Sequence, residues 1–428
     1  MKSLFQISLL LIITAAFFAT GCDQDRCTRV EEYTEFQPVF KRIDEMRIPT
    51  QYTYATSLSS PGKIFYYKGY LLVNEMHKGI HVIDNSNPEA PQNLGFIEIP
   101  GNLDMAVNND ILYADSYLYL VAIDITNPTA PVEVNRVNDV FQSFYSFNEQ
   151  LGYLVEYVPT SVTRTIDCSD PNWGRQTFFV DDVFMASAEF DVSGGLRDFS
   201  NTAISSNVVT GGSMARFTVA NDYLYTIDGA EIKIFDVKQP SPSLKNEIAL
   251  TWGIETLFPL AGSLFIGSNS GLIIYDITNP ESPQYLSTFT HATACDPVVV
   301  EGETAYVTLR DGNQCQGFVN QLDVVNVSNL TNPSLIKSYA MSNPHGLSVF
   351  EKTLYVCEGA FGLKSFDVSN PNDVSDHLLD TQTGFFAYDV IVLPPGNHVM
   401  VVGKDGLYQF DASDKNDLKQ LSVINIGN

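Results

Sequence analysis

One phrase returns along this chain at nearly constant intervals. Its clearest copy is Gly271-Leu272-Ile273-Ile274-Tyr275-Asp276-Ile277-Thr278-Asn279-Pro280. Close copies run through Gly79-Ile80-His81-Val82-Ile83-Asp84, Tyr119-Leu120-Val121-Ala122-Ile123-Asp124 and Gly362-Leu363-Lys364-Ser365-Phe366-Asp367, each with Asn-Pro beginning three residues after the Asp. Weaker copies end at Asp167, Asp236, Asn326 and Asp411. The eight anchors are separated by 40, 43, 69, 40, 50, 41 and 44 residues. A β-rich period of about 40–45 residues is that of a four-stranded propeller blade.

The internal order of each copy agrees. An apolar segment such as Val298-Val299-Val300 precedes a turn and a tyrosine-bearing strand, Thr304-Ala305-Tyr306-Val307. The repeated phrase follows as a third strand, and its Asn-Pro bend leads to a fourth, as in Gln284-Tyr285-Leu286-Ser287-Thr288-Phe289. β-Branched and aromatic residues dominate, without helical periodicity. The third strand is nearly all apolar, as a strand covered on both faces must be. The expected fold is therefore all-β: a β-propeller of four-stranded blades, eight by the anchor count, or seven with one irregular unit. The third copy, Val162-Thr163-Arg164-Thr165-Ile166-Asp167, fits poorly, and an insertion at about 170–212 follows it. The repeated Asp reads as a bend device. Its carboxylate folds back on following N–H groups, while Pro fixes φ after Asn.

The Gly-Leu-x-Ile-x-Asp-Ile-Ser/Thr-Asn-Pro phrase resembles the LVIVD repeat of bacterial and archaeal cell-surface proteins, over roughly residues 60–428. That resemblance implies a propeller at the cell envelope and no particular chemistry. A WD40 repeat does not fit, because the only tryptophans are Trp173 and Trp252 and neither ends a strand beside an Asp.

The N-terminus has Lys2, an apolar run from Ile7 to Ala19, and Ala19-Thr20-Gly21-Cys22. A positive start, a short apolar stretch and small residues mark an export signal. The stretch is short for a membrane span, which needs about 20 apolar residues. Cys22 is placed as in a bacterial lipobox, so residues 1–21 are expected to be signal peptide and Cys22 the lipid attachment site of a lipoprotein. Two or three acyl chains, at about 0.8 kcal/mol per buried methylene, suffice for stable anchoring. Residues 22–45 then form a tether, and 46–428 the propeller.

Acidic residues outnumber basic ones 50 to 24, for a net charge of −26. That balance argues against nucleic acid and against an anionic bilayer surface, both of which need basic patches. Membrane association is expected through the lipid anchor only.

Candidate sites lie on one face. In a blade, the loop entering the first strand and the loop between the second and third strands emerge together. Cys295 precedes a first strand and Cys315 sits in such a second loop, so a disulfide is expected to pin the enlarged loop, worth about 3 kcal/mol by chain entropy. Two free thiols are the alternative. Near the entries to the innermost strands stand Asp104, Arg216, Glu255, Asp296, His345 and Asp389. They differ from blade to blade, as a binding surface on repeats requires. His345 belongs to no catalytic motif. The chain has no Gly-x-Ser-x-Gly elbow, His-Glu-x-x-His or phosphate loop, so no catalytic residue, metal or cofactor is assigned. The expected function is a non-enzymatic binding module at the cell surface or outer membrane, directed at a protein or glycan. The alternative is a glycan-active lyase or hydrolase acting at the channel mouth.

Overall fold

A computed structural model describes residues 28–167, 215–250, 253–268, 271–290, 297–310 and 319–427. Cys22, Cys295, Cys315, Asp296 and the insertion at about 170–212 lie outside the described residues. The chain divides into two compact bodies, 1–37 with 157–181, and 38–156 with 182–428. The smaller body holds the distal parts of two paired strands, Thr28–Lys41 and Gly152–Asp167.

Among the described residues eight antiparallel sheets form, one for each anchor. Seven have the four-strand blade order, and the first of these gains a fifth strand, Gln51–Thr53. The sheet at the third anchor has three strands, Thr28–Lys41, Gly152–Asp167 and Phe147–Asn148, as the poor match there foreshadows. Numbered by anchor, the inner strands of the regular blades are Pro61–Tyr67, Met105–Asn108, Phe217–Ala220, Ile254–Leu260, Val298–Glu301, Leu347–Phe350 and Ala387–Leu393. These belong to blades one, two, four, five, six, seven and eight.

The core of the larger body lies between blades. Leu72, Ile80 and Val82 of the first blade pack on Met105, Leu112 and Val121 of the second. Tyr113 and Leu120 of the second pack directly on Phe217 and Leu224 of the fourth. The same seam recurs onward through the eighth blade. Leu393 and Met400 of the eighth then meet Ile64 and Leu71 of the first. The seven regular blades are thus in contact in a closed succession. This explains the apolar third strands, since successive side chains serve two different seams.

A hydrogen-bonded belt follows the outer strands. One position, just after the outer-strand bulge, reaches to the next blade's bend. Asn135 Nδ2 donates to Ser241 Oγ at 3.1 Å, Asn246 Nδ2 to the Glu281 carbonyl at 3.0 Å, and Ser287 Oγ to the Leu330 carbonyl at 2.6 Å. Lys337 Nζ donates to the Asn372 carbonyl at 3.0 Å, Asp380 accepts from Leu418 N at 2.8 Å, and Ser422 Oγ donates to the Pro88 carbonyl at 2.6 Å. At this position the first blade has Gly95, where a Cβ would overlap the Tyr52 ring and hydroxyl. The added strand supplies the missing latch. Gln51–Thr53 pairs with Phe96–Glu98 of the first blade, and Thr50 N donates to Glu133 Oε2 of the second at 2.9 Å.

Each repeated Asp makes the expected bend. Asp84, Asp124, Asp236, Asp276, Asp367 and Asp411 each accept the N–H two residues on at 2.8–3.0 Å, as Asn326 does from Ser328. These bonds favour the charged form and hold all six carboxyls below their ordinary range. Asp167 instead ends the long strand Gly152–Asp167.

Candidate functional site

The loop face collects the entries to the inner strands and the turns between second and third strands. Its most connected feature is Lys63, buried in the first blade's inner strand. Its ammonium lies 3.0 Å from Asp104 Oδ1 and donates to the Phe217 carbonyl at 2.7 Å. Asp104 Oδ2 accepts the backbone N–H groups of Arg216 and Phe217 at 2.7 and 2.8 Å. Three blades are therefore tied at one buried ion pair.

Beside it, Asp115 Oδ1 accepts from Asn102 Nδ2, Leu103 N and Asp104 N at 2.8–2.9 Å. Burial pushes its carboxyl up to about 6, against the pull of Arg216 and of those N–H groups. The Arg216 side chain is half-buried, its guanidinium stacked 4.2 Å over the Phe144 ring.

Farther round the same face, His345 is buried. Its Nε2 lies 3.2 Å from Arg310 Nη1, and its ring meets Phe386 and Tyr388 edge-on. Burial, then the Arg310 charge, holds it well below the ordinary histidine range, so the ring is neutral. Asp389 is buried against Gly346, where any Cβ would collide with its carboxylate. It also helps burial push the Cys357 thiol well above its ordinary range. Glu255 lies in the inner strand Ile254–Leu260. Of the six nominated residues, Asp104 and Arg216 are brought together, as are His345 and, through Gly346, Asp389.

A second set of charges went unread in the sequence. The last residue of the second strand, or the one after it, is Glu75, Asp228 or Glu358 in blades one, four and seven. Each accepts N–H groups of a loop entering the ring: Ser59 and Ser60 for Glu75, Ser143 for Asp228, Ser342 for Glu358. Each also meets a base at the third position of the repeated phrase. His81 Nε2 lies 3.2 Å from Glu75, Lys233 Nζ 2.8 Å from Asp228, and Lys364 Nζ 2.7 Å from Glu358. Blades whose second strand ends in Ser116, Ser268, Leu309 or Gly403 have Val121, Ile273, Asp323 or Tyr408 there, and no base. Acid and base therefore occur together or not at all, a signal visible by aligning the copies position by position.

The channel between inner strands also opens on the opposite face, as a cavity of about 600 Å³ walled by Phe65, Val107, Val219 and Phe258 with Lys63 among its lining.

These sheets define the chain as a β-propeller. The LVIVD repeat model matches residues 104–139, 263–290 and 293–341, so those segments are LVIVD repeats. No curated protein matches the chain. Among solved structures, a putative 6-phosphogluconolactonase of Bacteroides fragilis aligns at 11% identity over 88% of this chain and 96% of its own, with TM-score 0.50. The Pseudomonas aeruginosa periplasmic gluconolactonase aligns at 10% identity over 88% and 97%, with TM-score 0.49. A functionally unknown protein of Desulfotomaculum acetoxidans aligns at 12% identity over 86% and 95%, with TM-score 0.47. The first likeness shows the fold alone, and the other two carry no argument.

Proposed function

We propose that this propeller is a lipid-anchored envelope protein whose loop face binds a partner without transforming it. The observation that supports binding over catalysis is the use made of the titratable groups near the mouth. Asp104 is engaged by Lys63 and two backbone N–H groups, His345 is neutral and sits against Arg310, and Asp389 is buried. A general acid or base must reach substrate and change protonation near working pH. These groups instead hold loops in place. What remains exposed on the face is contact surface, notably Phe361, 53% exposed in the loop 358–362. An exposed aromatic on a rigid frame is a common anchor of an interface.

Anchoring is tested by growing cells with labelled palmitate. The native chain incorporates label and sediments with membranes, whereas Cys22→Ala does neither; a labelled Cys22→Ala chain removes the anchor. Binding is tested by capture from native envelopes on the full chain, alongside Phe361→Ser and the double variant Cys295→Ser/Cys315→Ser. Capture that depends on Phe361 or on the cysteine pair supports the loop face. Capture indifferent to all three changes contradicts it.

A further inference from the structure

The loop face holds a guanidinium with no hydrogen bond or ion pair among the described residues. It belongs to Arg216, whose guanidinium stands over the Phe144 ring, near enough to Asp115 to act on its charge. Arg136, by contrast, bonds Glu133 through Nε at 2.7 Å and through Nη2 at 2.8 Å. The surroundings of Arg216 explain the difference. Asp104 turns both oxygens elsewhere, one to Lys63 and the other to the N–H groups of Arg216 and Phe217. Asp115 gives Oδ1 to the loop Asn102–Asp104. Neither nearby carboxylate closes on the guanidinium.

Arg216 is nevertheless fixed at both ends. Its backbone N–H is clamped by Asp104 at 2.7 Å, and its guanidinium sits 4.2 Å over the ring of Phe144, itself packed between core clusters. The ring covers one side of the guanidinium, and its N–H groups make no hydrogen bond among the described residues. Those donors match the two oxygens of a carboxylate or phosphate. Holding the side chain in advance removes much of the rotamer entropy that binding otherwise costs.

We infer that Arg216 is an oxyanion receptor at the propeller mouth, taking the carboxylate or phosphate of a ligand that enters the loop face. Asp104 and Phe144 are its positioning residues. The inference rests on the loop face being the binding face and adds the chemistry of what binds.

The test is calorimetric titration of the full-length protein in detergent, at low salt, with trigalacturonate, inorganic phosphate and neutral maltotriose. At least one anion binds and maltotriose does not; which anion binds identifies the source of the oxyanion. Arg216→Met weakens that binding by about tenfold or more, the loss expected for a charge-assisted bidentate pair. Arg216→Lys keeps the charge without the fork and falls between. Circular dichroism and melting of both variants match the native chain. Anion binding equal in Arg216→Met and native protein overturns the inference, as does failure of both anions to bind the native chain. Envelope capture by a native chain that binds neither anion removes the receptor and leaves the loop-face reading standing.

Discussion

Lys63 and Asp104, on neighbouring blades, form a buried ion pair at 3.0 Å, and the same ammonium donates to Phe217 of a third blade. Breaking a buried pair from one side leaves an uncompensated charge, which costs about 3–5 kcal/mol. Lys63→Met and Asp104→Asn are each expected to lower unfolding free energy by about 3 kcal/mol in urea titrations. The double variant loses less than the sum. Strictly additive losses remove the coupling.

The third position of the repeated phrase makes a separate case. Lys233→Met strands Asp228, 1% exposed, and is expected to cost about 3 kcal/mol. Ile273→Met, at the same position in a blade without the acid, is expected to change stability by less than about 1.5 kcal/mol. Urea midpoints of the two variants check this, and equal losses contradict the pairing.

Two carboxylates give opposite pH slopes. Burial opposes ionisation of Glu75, but hydrogen bonds from His81, Ser59 and Ser60 outweigh it and hold it at about 2, below its ordinary 4.5. Its stabilising contribution is present above about 4.5 and disappears as pH falls through 2. Asp115 is raised from 3.8 to about 6, so its contribution is full below 3.8 and is lost as pH rises through 6. Urea midpoints measured from acid to neutral pH are expected to lose the first slope in Glu75→Gln and the second in Asp115→Asn.

Gly95→Ala places a Cβ against Tyr52 and the Thr53 carbonyl. The strand Gln51–Thr53 is expected to detach from the first blade, its amides losing hydrogen-exchange protection while those of Gly79–Asp84 keep theirs. Retained protection at 51–53 contradicts the latch.

Much of this fold was legible from period alone, because a blade must present the same apolar alternation and the same bend each time. The Asp bends were readable for the same reason: their bonds are local, spanning two residues. The Lys63–Asp104 and Ser422–Pro88 bonds span distant segments, and no local pattern announces them. Asp104 illustrates the limit. Its place at a strand entry marked it as face-lining, but only its three-dimensional neighbours show it turned inward. The acid–base pairs were present as correlated letters, Glu75 with His81 and Asp228 with Lys233, and became legible once register placed each base two positions from the residue opposite its acid.

Binding at the loop face is tested by placing a photo-crosslinking amino acid in the full chain in living cells, at Phe361 on that face or at Ser282 in an exposed bend of the opposite one. A partner held at the loop face gives a discrete crosslinked product from position 361 and none from 282. A product from 282 alone, or equally from both, contradicts it.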